Sequence, residues 1–123
     1  MGIVKIEKAQ MLNGEEMSKV DKYLCTQGKE NTSFRDLPDG TILCPVGYVI
    51  FTDTRDDKTS DVLAVLCDDG AIFTTISATF MRSFESIVEL MEDEPFHIKK
   101  LSGTTKNNRE YVDCSLVVDR TAK

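Results

Sequence analysis

The residues best suited to chemistry are cations, amides and one aromatic in the last third of the chain: Lys99, Lys100, Lys106, Asn107, Asn108, Arg109 and Tyr111. A smaller group, Arg55 and Lys58, stands in the middle. Lysine and arginine meet phosphate with charge, and a ring offers a face on which bases stack at about 1–3 kcal/mol each. Phe51 and Phe73 are further stacking candidates. Alternation sets Phe51 out of phase with Ile42, Cys44, Val46 and Ile50, which faces it outward. Lys99 and Lys100 are neighbours on a predicted strand, so they point to opposite faces and only one lines a groove. The mixture predicts a site for single-stranded nucleic acid. Against it stand Asp53, Asp56, Asp57 and Asp61, which share the segment of Arg55 and Lys58 and repel phosphate there. The plainer readings are solvated loop residues for Lys106 and Arg109, and core for Tyr48 and Phe73.

Enzyme readings find little material. His97 is the single histidine, and it sits within a predicted strand beside Phe96 and Ile98. A Ser or Cys nucleophile therefore has only carboxylates as base. No Gly-rich phosphate loop is present. The acidic clusters Asp56-Asp57, Asp68-Asp69 and Glu92-Asp93-Glu94 fall in predicted loops or at a helix end, where solvation is their ordinary role. The four cysteines, Cys25, Cys44, Cys67 and Cys114, form no Cys-x-x-Cys pair, so neither a zinc site nor another metal is expected. Cys44, Cys67 and Cys114 read as small core residues on strands. The expectation is a binding module, with no catalytic residues and no cofactor.

Charge refines this. The 123-residue chain carries a net charge of −6, which taken alone argues against nucleic acid. The distribution is uneven. Residues 1–94 hold 9 Lys/Arg and 18 Asp/Glu, whereas residues 95–123 hold 6 Lys/Arg and 3 Asp/Glu. A binding site needs only a local field. Apolar residues at 41% and charged residues at 29% describe a globular chain. No apolar run approaches the ~20 residues of a membrane helix, and the first ten residues lack a signal-peptide block. A cytoplasmic location is expected.

The elements that must position these residues follow from punctuation and period. Ile3 to Glu7 reads as a strand. Asn13-Gly14-Glu15-Glu16 resembles a capping box for a short helix, with Met17, Val20 and Leu24 on one packing face. Leu37-Pro38-Asp39-Gly40 is a turn. Thr41 to Thr52 is β-rich, with Pro45 and Gly47 marking a bulge or edge. Asp53 to Ser60 reads as a polar loop, and Val62 to Cys67 as a strand. Asp68-Asp69-Gly70 is a hairpin turn, followed by a strand over Ala71 to Ile76. Ser77 caps a helix to about Glu92, with Phe80, Phe84, Ile87, Val88 and Met91 on one face. Phe96 to Leu101 and Tyr111 to Val118 are strands joined by the polar loop Ser102 to Arg109.

From residue 40 onward the order is strand, strand, strand, helix, strand, strand. That predicts a mainly β, OB-fold-like five-stranded barrel with one or two helices; a half-open sheet with one helix packed across it meets the same order. The expected organisation is one domain over 1–123: an N-terminal strand and helix extension over 1–36, the barrel over 37–118, and a short tail over 119–123. In such a barrel, ligands lie across strands two and three and between two loops. Here those loops are the segments of Arg55 and Lys58 and of Lys106 to Arg109.

Three stretches carry a resemblance: Ile3-Val4-Lys5-Ile6-Glu7-Lys8-Ala9, the helix Thr79 to Leu90, and Phe96 to Lys100 together with Ser102 to Val112. Together they resemble small single-stranded-DNA-binding proteins of tailed bacteriophages. The resemblance implies an OB-fold protein that coats single strands during phage replication or recombination, with Lys99, Lys106, Arg109 and Tyr111 as the positions carried over. Bacterial proteins of this activity end in an acidic tail, whereas Asp119-Arg120-Thr121-Ala122-Lys123 is not acidic. The expected function is sequence-tolerant binding of single-stranded DNA, with replication or host proteins as further partners and residues 1–36 available for self-association. Two other readings stand beside it. An acidic protein-binding inhibitor or adaptor, such as a phage factor acting on a host defence or replication protein, would use the acidic surface. A phage assembly component would form a stable higher oligomer.

Overall fold

A computed structural model describes residues 3–118. The predicted tail over 119–123 lies outside them. In chain order the elements are β1 (Ile3–Met11), α1 (Lys19–Gln27), β2 (Thr32–Ser33), a 3-10 turn (Phe34–Asp36), β3 (Ile42–Leu43), β4 (Pro45–Arg55), β5 (Lys58–Cys67), β6 (Ile72–Thr75), α2 (Ala78–Met91), β7 (Ile98–Thr104) and β8 (Glu110–Leu116). Five strands form one sheet in the order β1-β4-β5-β6-β2, and three form a second in the order β3-β7-β8. The mainly β class with two helices is as expected. Among the described residues the two sheets do not close into a barrel.

The bend that creates two sheets lies where Pro45 and Gly47 predicted a bulge. β3 pairs with β7 in the smaller sheet. One residue later β4 pairs with β1 and β5 in the larger one, with a register shift between Pro45 and Gly47. Thr41 to Thr52 is thus two strands that change partners at Cys44. The expected loop over 53–60 is mostly strand. β4 runs to Arg55, β5 restarts at Lys58, and only Asp56 and Asp57 turn, both at left-handed φ of 50° and 67°. A two-residue type I′ hairpin needs that pair of dihedrals. The polar composition that suggested a loop belongs to strand ends exposed to water.

The N-terminal segment is built into the larger sheet. β1 extends past the predicted Glu7 to Met11 and lies antiparallel along β4. β2 adds a short parallel pair to β6. The helix starts later than the Asn13 signal suggested. Asn13 accepts from the Glu15 amide at 2.9 Å in a local turn, and Ser18 is the N-cap, accepting from the Asp21 amide at 3.1 Å. The packing face also differs. Met17 and Cys25 are buried, while Val20 and Leu24 face water.

Two cores result. The first joins Phe34, Tyr48, Leu63, Val65, Phe80, Phe84, Phe96 and Ile98 between the sheets and α2. Phe34 and Phe80 lie 4.3 Å apart by ring centroid, and Tyr48 meets Phe84 edge-on at 5.4 Å. The second joins Met17, Cys25, Val49, Phe51, Ala64, Leu66 and Ile72 on the opposite face of the larger sheet, under α1. Cys67 and Cys114 are buried on strands as expected, and Cys25 is buried on α1. Burial pushes these three thiols up to about 12. Cys44, at the bend, is only half-buried.

Ser77 ties the halves together. It caps α2 as expected, accepting from the Phe80 amide at 3.1 Å, and its hydroxyl donates to the Val112 carbonyl on β8 at 2.7 Å. Both bonds are lost in Ser77→Ala. That substitution should cost about 1–2 kcal/mol and lower Tm by roughly 5 °C, measured by circular dichroism melting.

Candidate functional site

The predicted site residues do not gather in one place. The structure distributes them over a cleft, two hairpin tips, a second groove and the core.

The cleft lies where the sheets fail to meet, between the end of β6, the start of α2 and the β7–β8 hairpin, with a volume of about 700 Å³. Tyr111 and Lys100 are the predicted residues that line it. Tyr111 is 37% exposed. It stands opposite Gly103 in the β7–β8 ladder, and its ring lies over that glycine so closely that a Cβ there would enter the ring. The absence of a Cβ at Gly103 is what leaves room for the ring there. Hydroxyls of Ser33, Thr74, Thr79 and Thr104 line the cleft as well. The first turn of α2 opens into it and holds no acidic side chain. Such a turn presents unpaired amides and the positive end of the helix dipole.

Lys106, Asn108 and Arg109 sit together at the exposed tip of the β7–β8 hairpin, next in sequence to the cleft-lining Thr104 and Glu110. Asn108 takes a left-handed φ of 59°. The turn is held by Thr105: its amide donates to the Arg109 carbonyl at 2.9 Å, and its hydroxyl accepts from the Arg109 amide at 3.2 Å. This hairpin tip therefore carries two cations and an amide at the cleft's edge. Arg35, in the 3-10 turn, adds a cation to the cleft wall that sequence reading missed. No local motif marks it, because the 62 residues between Arg35 and β7 hide their proximity.

Arg55 and Lys58 face one another across the β4–β5 hairpin tip. The Arg55 Nε contacts the Asp53 carboxylate at 3.1 Å, and Asp56 and Asp57 form the turn between the two cations. Acidic groups outnumber cations on this tip, and it does not border the cleft. Phe51 was expected to face outward as a stacking ring. It does lie on the opposite face from Tyr48 and Ile50, as alternation requires, but α1 covers that face and leaves Phe51 only 4% exposed. Phe73 is half-buried. One neighbour is Phe34, at 5.6 Å between centroids, and the residue borders a second groove with Leu24 and Lys29.

Lys99 and Lys100 do take opposite faces, and the inward one is not a free cation. Lys100 is 4% exposed. Its Nζ donates to the Leu37 carbonyl at 2.8 Å and to Asp39 Oδ1 at 2.9 Å, while Ser102 donates to both Asp39 oxygens. These bonds pin the Leu37 to Gly40 turn against β7. The Lys100 ammonium and the Ser102 hydroxyl hold the Asp39 carboxyl below its ordinary range. The charge of Lys100 is spent inside the fold, so the expected phosphate contact there is corrected to a structural one. Lys99, half-buried on the other face, keeps no such partner among the described ion pairs.

Among the described residues there is no cluster of three metal-ligating side chains, and no helix is long and apolar enough to cross a membrane.

Comparison with known proteins bears on the chain's family. The family described as Phage Single-stranded DNA-binding protein matches residues 1–117. The single-stranded DNA-binding proteins of Bacillus phage PZA and Bacillus phage phi29 are each 29% identical over 91 residues, covering 68% of this chain and 73% of each relative. No solved structure matches.

Removing either partner of the Lys100–Asp39 pair should have unequal effects. Lys100→Met frees an exposed carboxylate that water can solvate, and should cost about 1–3 kcal/mol, the range for a charged hydrogen bond. Asp39→Asn leaves an ammonium buried without its counter-charge and should cost more. Because the folded carboxyl sits below its unfolded value of 3.8, the pair's contribution is fully present above that pH. It is lost as pH falls through the folded value. Urea unfolding at neutral and acid pH checks both the order and the pH dependence.

Proposed function

The chain belongs to the phage single-stranded DNA-binding protein family, and from that premise we propose that it holds the strand in the cleft between its two sheets. Its role is single-stranded DNA binding in phage replication. The strand's bases stack on Tyr111, and its phosphates meet Lys106 and Arg109 at the hairpin tip and Arg35 on the facing wall. The observation that carries this reading is Tyr111 on the cleft's lining, 37% exposed and packed on Gly103, in the hairpin whose tip holds Lys106 and Arg109.

Recognition of this kind is tolerant of sequence. Every base has a face to stack, whereas base identity is read by hydrogen bonds at base edges. The cleft wall offers hydroxyls beside one ring, with the Glu110 carboxylate on its lining. The α2 amides supply a further place for a phosphate oxygen. Lys99 approaches the strand only from outside the cleft. Arg55 and Lys58 contribute little, because the aspartates around them cancel their field. The proposed activity is binding, in keeping with the family, and His97 lies exposed just before β7, outside the cleft lining.

Fluorescence anisotropy with labelled oligo-dT against a duplex of equal length tests this. The strand should bind and the duplex should not, with affinity falling as salt rises because each phosphate contact releases counterions. Lys106→Ala/Arg109→Ala should weaken binding and reduce the salt slope by about two contacts. An unchanged slope would place the strand elsewhere. Gly103→Ala should push the Tyr111 ring off the wall and weaken binding about tenfold, near the value of one stacked base, while Tyr111→Phe keeps the ring and most of the affinity.

A further inference from the structure

A second groove borders the same two strands as the cleft. β2 and β6 form a short parallel ladder, with Thr32 opposite Phe73 and Ser33 opposite Thr74. Ser33 and Thr74 border the cleft, and Thr32 and Phe73, one residue earlier along each strand, border the second groove. The second groove has a volume of about 550 Å³ and is bounded by Leu24 of α1 and by Lys29.

α1 is unusual for a surface helix. Val20, Tyr23 and Leu24 follow at i, i+3, i+4 spacing, and they face water at 67%, 54% and 39% exposure. A stripe with that spacing normally faces the core. Here Cys25 and Met17 serve the core instead. Between Met17 and Lys29 the chain carries Lys19, Lys22 and Lys29 against Asp21 alone, a positive stretch in an acidic protein. Glu30 at the groove's lip is the opposing charge. The end of α1 is fixed rather than frayed: Gly28 donates to the Leu24 carbonyl at 3.0 Å, and the Asn31 amide donates to the same oxygen at 2.7 Å. Lys29 is thereby held beside Leu24. The third groove, by contrast, is lined by Glu85, Glu89, Glu92 and Asp93 beside Lys8, and its field repels phosphate.

We propose that a bound single strand leaves the cleft over the β2 edge and continues onto α1, where Tyr23 stacks a base and Lys22 and Lys29 hold phosphates. The proposal rests on the cleft being the primary site. Its basis is the adjacency of the second groove to the cleft on the β2–β6 ladder, the three lysines that α1 and its end place there, and an exposed ring beside them. A longer strand then engages two segments of one chain, and the second adds to affinity only when the strand spans both.

Titration of the full chain with short and long oligo-dT strands tests this, comparing wild type with Tyr23→Ala/Lys29→Ala. The variant should bind long strands roughly tenfold more weakly and short strands unchanged, and Tyr23→Phe should restore most of the difference. Tyr48 is buried and the chain has no tryptophan, so quenching of tyrosine fluorescence by stacked bases reports Tyr23 and Tyr111 over a constant Tyr48 background. In a Tyr111→Phe background, long strands should quench the Tyr23 share of the signal and short strands should not. Equal affinity of variant and wild type at every length, or equal loss at every length, would overturn the proposal while leaving the cleft in place. A wild type that binds no strand overturns the cleft reading and this extension with it. A DNA-free wild type that sediments as an oligomer, dissociated by the variant, would assign the α1 face to contact between copies instead.

Discussion

The arrangement depends on a limit set by hydrogen-bonding geometry: a strand has two edges, and each accepts one neighbour. In the larger sheet both outer positions are taken by N-terminal strands, β1 against β4 and β2 against β6. The β7–β8 hairpin cannot pair there. It joins instead through β3, a strand of two residues, and through α2, whose Ser77 hydroxyl reaches the β8 backbone. The segment expected to pack on a finished barrel is what keeps the barrel from closing. The cleft is the space left by that competition, and it is lined by the free edges and turns that a closed barrel would have consumed.

The same competition explains where the cores lie. A sheet with apolar side chains on both faces must be covered on both. α2 and the smaller sheet cover one face, with Phe34, Phe80 and Phe84 filling the space between. α1 and the residues before it cover the other, through Met17 and Cys25. Because α1 reaches the sheet with those two residues, its own apolar stripe is left outside. Coverage of Phe51 and exposure of Tyr23 are thus two results of one helix position.

What sequence could reveal follows the range of the interactions involved. Ser77 was legible as a cap, and α2's face was legible from Phe80, Phe84 and Ile87, because both signals span one or two turns. Asp68-Asp69-Gly70 and Leu37-Pro38-Asp39-Gly40 declare their turns within four residues. Asp56-Asp57 did not, because neither residue is the glycine that such a hairpin usually shows and the strands around it are polar. The phases of Phe51 and of the Lys99–Lys100 pair were also legible. Their environments were not. Phe51 is covered by a helix about 25 residues away, and Lys100 is satisfied by a turn some 60 residues away. Period gives the face a side chain takes, and tertiary packing decides what that face meets. Arg35 had no local signal at all, since its place on the cleft wall depends wholly on the fold.

An acidic protein that holds a polyanion must solve an electrostatic problem, and the structure suggests how. At physiological ionic strength, fields between exposed charges fade over about 8 Å. The carboxylates of the α2 groove and of the β4–β5 tip therefore act mainly on their own surroundings, while Lys106 and Arg109 act on the cleft's mouth. Separation of the two signs onto different elements lets local attraction coexist with net repulsion. The cost falls on encounter, since a net charge of −6 does not steer a distant strand inward. On the proposed path the strand is then retained by contacts that need no long-range field, and a ring supported by glycine is the contact of that kind. Stacking is short-ranged and weakly sensitive to salt, whereas ion pairing is not. A site of two hairpin cations beside one open ring divides its affinity between the two, so that an increase in salt removes the first part and leaves the second.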